Sequence, residues 1–231
     1  MAMNELYPIF LHLQAQGVLI VGGGSVGLRK AQGAMAAGAA VTVLSPEFHA
    51  EFDKLPGIKR ITSTYPSGFL NPTVNPRWRL VFAATNNEAV NALVLHDAAV
   101  SGVLCCRCDE PANGDFVIPA TQRRGPVTVA ITSGGAAPGL SAELARNAAV
   151  TLEPVLVKLV ELAASWRKLV LQQVPDGERR RKLLQRLSDS EMRTRIRTTG
   201  EAGAEALFQQ WLAEEKMIRA SHSRITMQAG K

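Results

Sequence analysis

The stretch Val18–Ala31, "VLIVGGGSVGLRKA", decides how this sequence is read. An aliphatic run enters a cluster of glycines, and a segment of helical character follows. Gly22, Gly24 and Gly27 form G-x-G-x-x-G directly after the strand-like run and at the opening of the helix, the setting in which this pattern holds a dinucleotide. The first glycine permits a tight turn, the second lets backbone approach a pyrophosphate, and the third lets the helix pack on the strand. Free N–H groups at the helix start, around Ser25 and Val26, then face the phosphates.

Working outward, the first half alternates β-branched runs with alanine-rich segments, as strand–helix–strand units over a parallel sheet do. Strands are predicted at Gly17–Gly23, Ala40–Pro46, Ile58–Tyr65, Arg79–Asn87 and within "VLCCRCDE" at 103–110, with helices over Ser25–Ala39 and through "EAVNALVLHDAAVSG". Runs this apolar belong in a sheet covered on both faces. From Asp115 the texture changes. Strand-like pieces at Phe116–Ala120 and Val127–Thr132 flank a turn at Arg123–Pro126, and a helix is expected from Pro138, since proline suits a first turn. Beyond Thr151 the apolar spacing is helical, and "SHSRITMQAGK" reads as a loose tail. The expected fold is α/β: a Rossmann-type parallel-sheet domain over 1–114, a small α+β dimerisation segment over 115–150 and a helical C-terminal region over 151–231.

The 231 residues, 46% hydrophobic and 20% charged, have the composition of a folded globular protein and not of a disordered one. No apolar run approaches the roughly 20 residues needed to span a membrane, and "MAMNELYPIFLHL" lacks the pattern of a secretory leader, so a cytoplasmic protein without membrane partners is expected. The net charge of +6 and pI near 9.5 favour an anionic partner without choosing between nucleic acid, an anionic surface and a polyanionic small molecule.

A ribose-binding carboxylate is expected about 20 residues after the glycine loop. "VTVLSPEF" places Ser45 there instead, with Glu47 two positions on. A serine hydroxyl can bond a ribose hydroxyl, and no arginine or lysine lies between Ser45 and Glu51 to receive a 2′-phosphate, which favours NAD over NADP.

Taken with "YPIFLHL" (7–13), "AATNN" (83–87) followed by Asn91, "CDEP" (108–111) and "RRGPVTVAITSGGAAPGLSAELA", the chain resembles the precorrin-2 dehydrogenases, the family of the siroheme synthase N-terminal module, some of whose members are also sirohydrochlorin ferrochelatases. The similarity runs from Tyr7 to Ala148. It implies oxidation of the tetrapyrrole precorrin-2 to sirohydrochlorin by NAD, in a homodimer, with ferrous iron as a co-substrate where chelation also occurs. The family's key aspartate matches Asp109, its cofactor loop Gly22, Gly24 and Ser25, and the turn after its fourth strand Thr85 and Asn86. With no methyltransferase domain within the 231 residues, the resemblance implies the stand-alone form.

Chemistry supports Asp109 beside the resemblance. Dehydrogenation at carbon removes a hydride and a proton, and a carboxylate at the carboxyl end of a strand is well placed to take the proton. In chelation it would collect protons displaced from pyrrole nitrogens. The structural alternative is an aspartate that caps the turn before Pro111. The family usually carries apolar residues and an asparagine before this aspartate, whereas here "CCRCDE" supplies Arg107 and three thiols. Arg107 is a candidate for a substrate carboxylate. In a strand Cys106 and Cys108 share one face and Cys105 and Arg107 the other, so buried apolar thiols are favoured over a zinc site.

Ser133 matches a family serine or threonine, and the backbone at Gly134 and Gly135 can form an anion-binding nest or merely start the next helix. Arg123 and Arg124 read as exposed turn residues. His12, His49, His96 and His222 form no ligand pair.

Two other functions compete. A nucleotide-sensing regulatory module would keep the glycine loop without needing Asp109. Nucleic-acid binding through "ERRRKLLQRLSDSEMRTRIR" would use its positive charge, but Leu183, Leu184 and Leu187 make an apolar stripe there and acidic residues alternate with the arginines, as on a solvated helical face. No nucleic-acid partner is therefore expected.

Overall fold

Five aliphatic runs form one parallel sheet: β1 (Gly17–Val21), β2 (Ala40–Ser45), β3 (Lys59–Thr62), β4 (Trp78–Ala83) and β5 (Leu104–Arg107), in the order β3-β2-β1-β4-β5. This is the order of a Rossmann-type half, with the connection reversing direction between β1 and β4. The computed structural model describes residues 6–73 and 77–229, with side chains described through residue 218. His222 lies outside the described side chains.

The strands alternate faces. Val18, Ile20, Val43, Phe82 and Cys106 pack on one side with Leu28, Ala31 and Ala34 of α1 (Ser25–Ala36); Leu19, Val21, Val81, Ala83 and Cys105 pack on the other with Val94 and Ala98 of α2 (Glu88–Ser101). Covering both faces is what lets these strands be apolar throughout. Beneath α2, the buried carboxylate of Asp97 accepts from the Tyr65 hydroxyl at 3.0 Å and the Gly68 N–H at 2.6 Å.

β5 is an edge strand, and its free side is closed locally. After a single 3₁₀ turn at Pro111–Asn113, the Asp115 N–H donates to the Cys105 carbonyl and the Asp115 carboxylate accepts the Cys105 N–H, both at 2.8 Å.

The chain divides into two units, one of residues 1–118 with 132–137 and one of 119–131 with 138–231. In the second, β6 (Ala120–Arg124) and β7 (Val127–Ile131) form an antiparallel hairpin joined by Gly125-Pro126, with Gly125 at φ +53°. Glycine at the first central position suits a two-residue hairpin turn. The strand expected at Phe116–Ala120 is thus displaced to Ala120–Arg124. Phe116 is drawn into the sheet core instead, edge-on to Phe82 at 5.5 Å between ring centres. Arg123 and Arg124 are exposed, as the turn reading expected.

α3 (Pro138–Val150) packs on the hairpin, and α4 (Pro154–Gln173), α5 (Gly177–Arg186) and α6 (Ser190–Ala229) share a core built around Trp166, Phe208 and Trp211. Trp166 stacks on Phe208 at 4.7 Å, and its indole N–H donates to Glu205 at 2.6 Å. α6 breaks at Gly200 (φ +66°, ψ −162°), so that Met192 and Ile196 before the break and Leu207 and Trp211 after it reach the same core. The terminal segment read as a loose tail is helical as far as Ala229; residues 230–231 lie outside the described residues. Leu183 and Leu187 are buried and Leu184 packs against them, while Arg179 pairs with Glu215 of α6 and Arg186 lies over the Trp211 ring at 4.0 Å.

Candidate active site

The glycine loop sits at the carboxyl end of β1, and each glycine has a different local reason. Gly22 has φ +118°, which disfavours any side chain, and a Cβ there would collide with the Ala84 carbonyl. A Cβ at Gly23 would collide with the Glu47 carbonyl and stand 3.0 Å from Ser45 Oγ. One at Gly27 would overlap the Gly22 carbonyl, so the third glycine allows the close helix–strand packing that its position in the motif predicts. At Gly24 a Cβ would meet no atom within 4 Å. Space is open at the second glycine, on the exposed side of the loop.

The start of α1 is electrostatically ready for an anion. Gly24 is its N-cap, no side chain caps it, and its first turn holds no acidic residue. The unsatisfied N–H groups of a helix start carry partial positive charge, and a phosphate satisfies them. Gly24 and Ser25 are exposed, Val26 is half-buried, and Gly22 and Gly27 are buried. Ser45 is buried at the end of β2, beside the loop. A dinucleotide fits these residues.

Thr85 follows β4 immediately beside Gly22, and a single buried asparagine organises it. Asn91, fully buried on α2, accepts from the Thr85 N–H (3.2 Å) and the Thr85 hydroxyl (2.7 Å) and donates to the Thr85 carbonyl (3.0 Å). Its side chain also helps hold the Asp109 carboxyl down. Asn91 therefore fixes the loop after β4 and favours the charge carried by the loop after β5. Asn86 is exposed, and Asn87 caps α2 by accepting from the Val90 N–H at 3.2 Å.

Asp109 lies in the bend after β5, its side chain 30% exposed. Arg107, nearly buried, holds it with two bonds, Nε–Oδ1 at 3.2 Å and Nη2–Oδ2 at 2.8 Å, and reaches Glu110 with Nη1 at 3.0 Å. The Arg107 bonds, helped by Asn91 and opposed by partial burial, lower the Asp109 carboxyl to about 2. Two of the chain's own carboxylates thus occupy the guanidinium that sequence reading offered to a substrate. The bend itself is pinned to the sheet, because the Cys108 N–H donates to the Ala83 carbonyl at 2.9 Å.

Ser133 and Gly134 stand in the turn before α3. The Ser133 hydroxyl accepts the Ala137 N–H at 2.9 Å, the Gly134 N–H donates to Thr132 Oγ1 at 3.1 Å, and both Gly134 and Gly135 have positive φ.

Residues 9–120 match a family model described as NAD(P)-binding, and residues 156–212 one described as the sirohaem synthase dimerisation region. The chain is 33% identical over 213 residues to the siroheme synthase of Tolumonas auensis, covering 91% of this chain and 44% of that protein. It is 37% identical over 183 residues to siroheme synthase 2 of Yersinia enterocolitica, covering 79% and 38% respectively. The chain belongs to the family of the siroheme synthase N-terminal module. It spans less than half the length of these curated siroheme synthases. A solved structure titled SirC, precorrin-2 dehydrogenase, shares the fold at a TM-score of 0.70 and 23% identity, over 90% of this chain and all of that one.

In this member of the siroheme synthase family, sequence reasoning selected the two ends of the site and missed its centre. Asn91 was quoted only as part of a motif. A polar residue at a core position, within the uncharged run 89–95 between Glu88 and Asp97, is the available signal. The dimerisation-region match at 156–212 lies C-terminal to the segment 115–150 for which sequence reading expected that role.

Proposed function

We propose that this chain is an NAD-dependent dehydrogenase that oxidises precorrin-2 to sirohydrochlorin in siroheme biosynthesis, as a cytoplasmic homodimer. One observation carries the reading: at the carboxyl end of the parallel sheet, Asn91 bonds Thr85, beside the open glycine loop, and favours the charged form of Asp109. A regulatory module that only senses a nucleotide has no need of that arrangement.

NAD, when bound, supplies the hydride acceptor. Gly22, Gly24, Ser25, Val26 and Gly27 would hold its diphosphate through backbone and helix start, Ser45 would serve a ribose hydroxyl, and Thr85 and Asn86 would complete the cofactor site. Asp109 takes the proton. While both of its oxygens face Arg107 it is a weak base, because a carboxyl held near 2 gives up its proton far below neutral pH. An arginine fork binds carboxylates in pairs of bonds, so an acetate or propionate group of the substrate can take over Arg107 and release Asp109 to act. Substrate contact at Arg107 and proton removal at Asp109 then become one event. Ser133 and Gly134 would contribute a further anion contact.

Residues 1–114 hold the cofactor in this reading, 115–150 form a dimerisation segment, and 151–231 form the helical C-terminal region. Leu140 and Leu144, one helical turn apart and both exposed on α3, support an interface there, as does the dimerisation-region match for the later helices. Among the described residues no helix is long and apolar enough to cross a membrane.

The test is an anaerobic absorbance assay with purified protein, precorrin-2 and NAD. Formation of NADH together with sirohydrochlorin is expected; active substrate without NADH leaves the sensing module as the reading. Ferrous iron added afterwards tests the second activity, a siroheme spectrum appearing faster than without protein.

A further inference from the structure

Cys106 and Cys108 serve no part of the chemistry above, yet they are built as a pair. Both side chains lie on the α1 face of the sheet, Cys106 buried in its core and Cys108 packed at its margin and partly exposed. The chain leaves the strand at Arg107 and bends at Cys108, so the two thiols, two residues apart on one face, pack against the same cluster. Lys30 and Arg29 of α1 add positive charge near Cys108, and Lys30 is fixed over the Phe82 ring at 5.8 Å from its centre. Cys105 is on the opposite face, buried, with its thiol pushed up to about 12 by burial and by Asp115.

We propose that Cys106 and Cys108 form a peroxide-oxidisable dithiol, with Cys108 the attacking sulfur and Cys106 the resolving one. The Cys108 thiolate attacks one oxygen of a hydroperoxide, the O–O bond breaks, and the chain holds Cys108 as a sulfenic acid while hydroxide or alkoxide leaves. The Cys106 thiol then attacks that sulfur, the S–O bond breaks, and the Cys106 proton leaves with the hydroxyl as water. Two electrons pass from the thiols to the peroxide. The division of labour follows from position. Cys106 is buried and its thiol is pushed up, whereas Cys108 is partly exposed and its thiol is lowered by the neighbouring sulfur and by Lys30. Nucleophilicity needs the thiolate, and reagent must reach it; only Cys108 offers both.

The test uses the whole chain and hydrogen peroxide, read by intact mass and tryptic mapping. Trypsin cuts between Arg107 and Cys108, so reduced protein yields Leu80–Arg107 and Cys108–Arg123 as separate peptides. Oxidised protein is expected to lose two hydrogens and to give these two peptides joined, with fragmentation placing the bond at Cys106 and a thiol reductant reversing it. In Cys106→Ser the expected product is Cys108 carrying one added oxygen, captured by a dimedone-type reagent. Absence of oxidation, a bond to Cys105, or wild-type Cys108 accumulating as sulfinic acid beside a free Cys106 would each overturn the proposal. The readout is mass, so it stands apart from whether the chain oxidises a tetrapyrrole.

Discussion

Gly24→Asp separates the glycine that serves a ligand from those that serve the fold. In the structure a Cβ at Gly24 meets nothing within 4 Å, and the residue has φ −78° and ψ −172°, backbone that aspartate adopts freely. Gly24 is also the uncapped N-cap of α1, a position where aspartate stabilises helices by a few tenths of a kcal/mol over glycine. The melting temperature is therefore expected to hold or rise slightly. Binding should fare very differently. A carboxylate about 6 Å from a diphosphate charge, at an effective dielectric of about 20, costs roughly 3 kcal/mol per charge, which weakens affinity on the order of a hundredfold or more. Calorimetric titration with NAD alongside thermal melting measures both quantities on one sample. NAD affinity within a fewfold of wild type refutes the assignment of the loop. A melting temperature lowered by many degrees refutes the claim that this glycine is spared for a ligand. Gly27→Ala is the contrasting control, because its Cβ overlaps the Gly22 carbonyl and must part α1 from β1.

Asp109→Asn is expected to fold and bind NAD while oxidation of precorrin-2 falls roughly 10²- to 10⁴-fold, the usual worth of a positioned proton acceptor; near-normal turnover removes Asp109 from the chemistry. Because its folded carboxyl is lowered from 3.8 to about 2, ionised Asp109 stabilises the fold above pH 4, and that contribution disappears as pH falls through 2. Acid unfolding of wild type and Asp109→Asn should accordingly converge near pH 2 and differ above pH 4. Arg107→Gln removes the main cause of the lowering, so a carboxyl-detected NMR titration should find Asp109 moved upward; an unmoved titration contradicts the pairing. Asn91→Ala removes the partner of the half-buried Thr85 N–H, while the Thr85 hydroxyl keeps Asn87, and is expected to cost about 1–2 kcal/mol, read by denaturant unfolding, together with weaker NAD binding. Trp166→Ala, which empties the helical core beside Phe208, should cost about 3–5 kcal/mol by the same measurement.

The sheet was legible because its physics is local. Alternating strands and helices with glycines at fixed intervals admit few arrangements, and the β1–α1–β2 unit ends within a few residues of where aliphatic periodicity places it. The boundary at Phe116 was not legible. Its run of apolar residues resembles a strand, and only the proximity of Phe82, thirty-four positions earlier, reveals it as a core plug. The site was half legible for the same reason. Gly22 and Gly27 carry backbone requirements visible in a motif, while the clamp by Asn91 and the double bond from Arg107 to Asp109 depend on which loops a folded sheet brings side by side. The placing of Cys106 and Cys108 on one face follows from strand alternation; the partial exposure of Cys108 follows from the bend, which no periodicity announces.

The clasp of Asp115 on β5 gives the loop that carries Asp109 an unusual independence. The Ala83 carbonyl anchors it at Cys108 and Cys105 anchors it at Asp115, so both ends return to the same strand neighbourhood. Substitutions from Glu110 to Asn113 leave the ladder bonds at both anchors in place and do not disturb the glycine loop. Substrate preference can therefore drift in this segment while cofactor binding stays constant. The same clasp occupies hydrogen-bonding groups that an edge strand would otherwise offer to another chain, which protects the molecule from edge-to-edge aggregation.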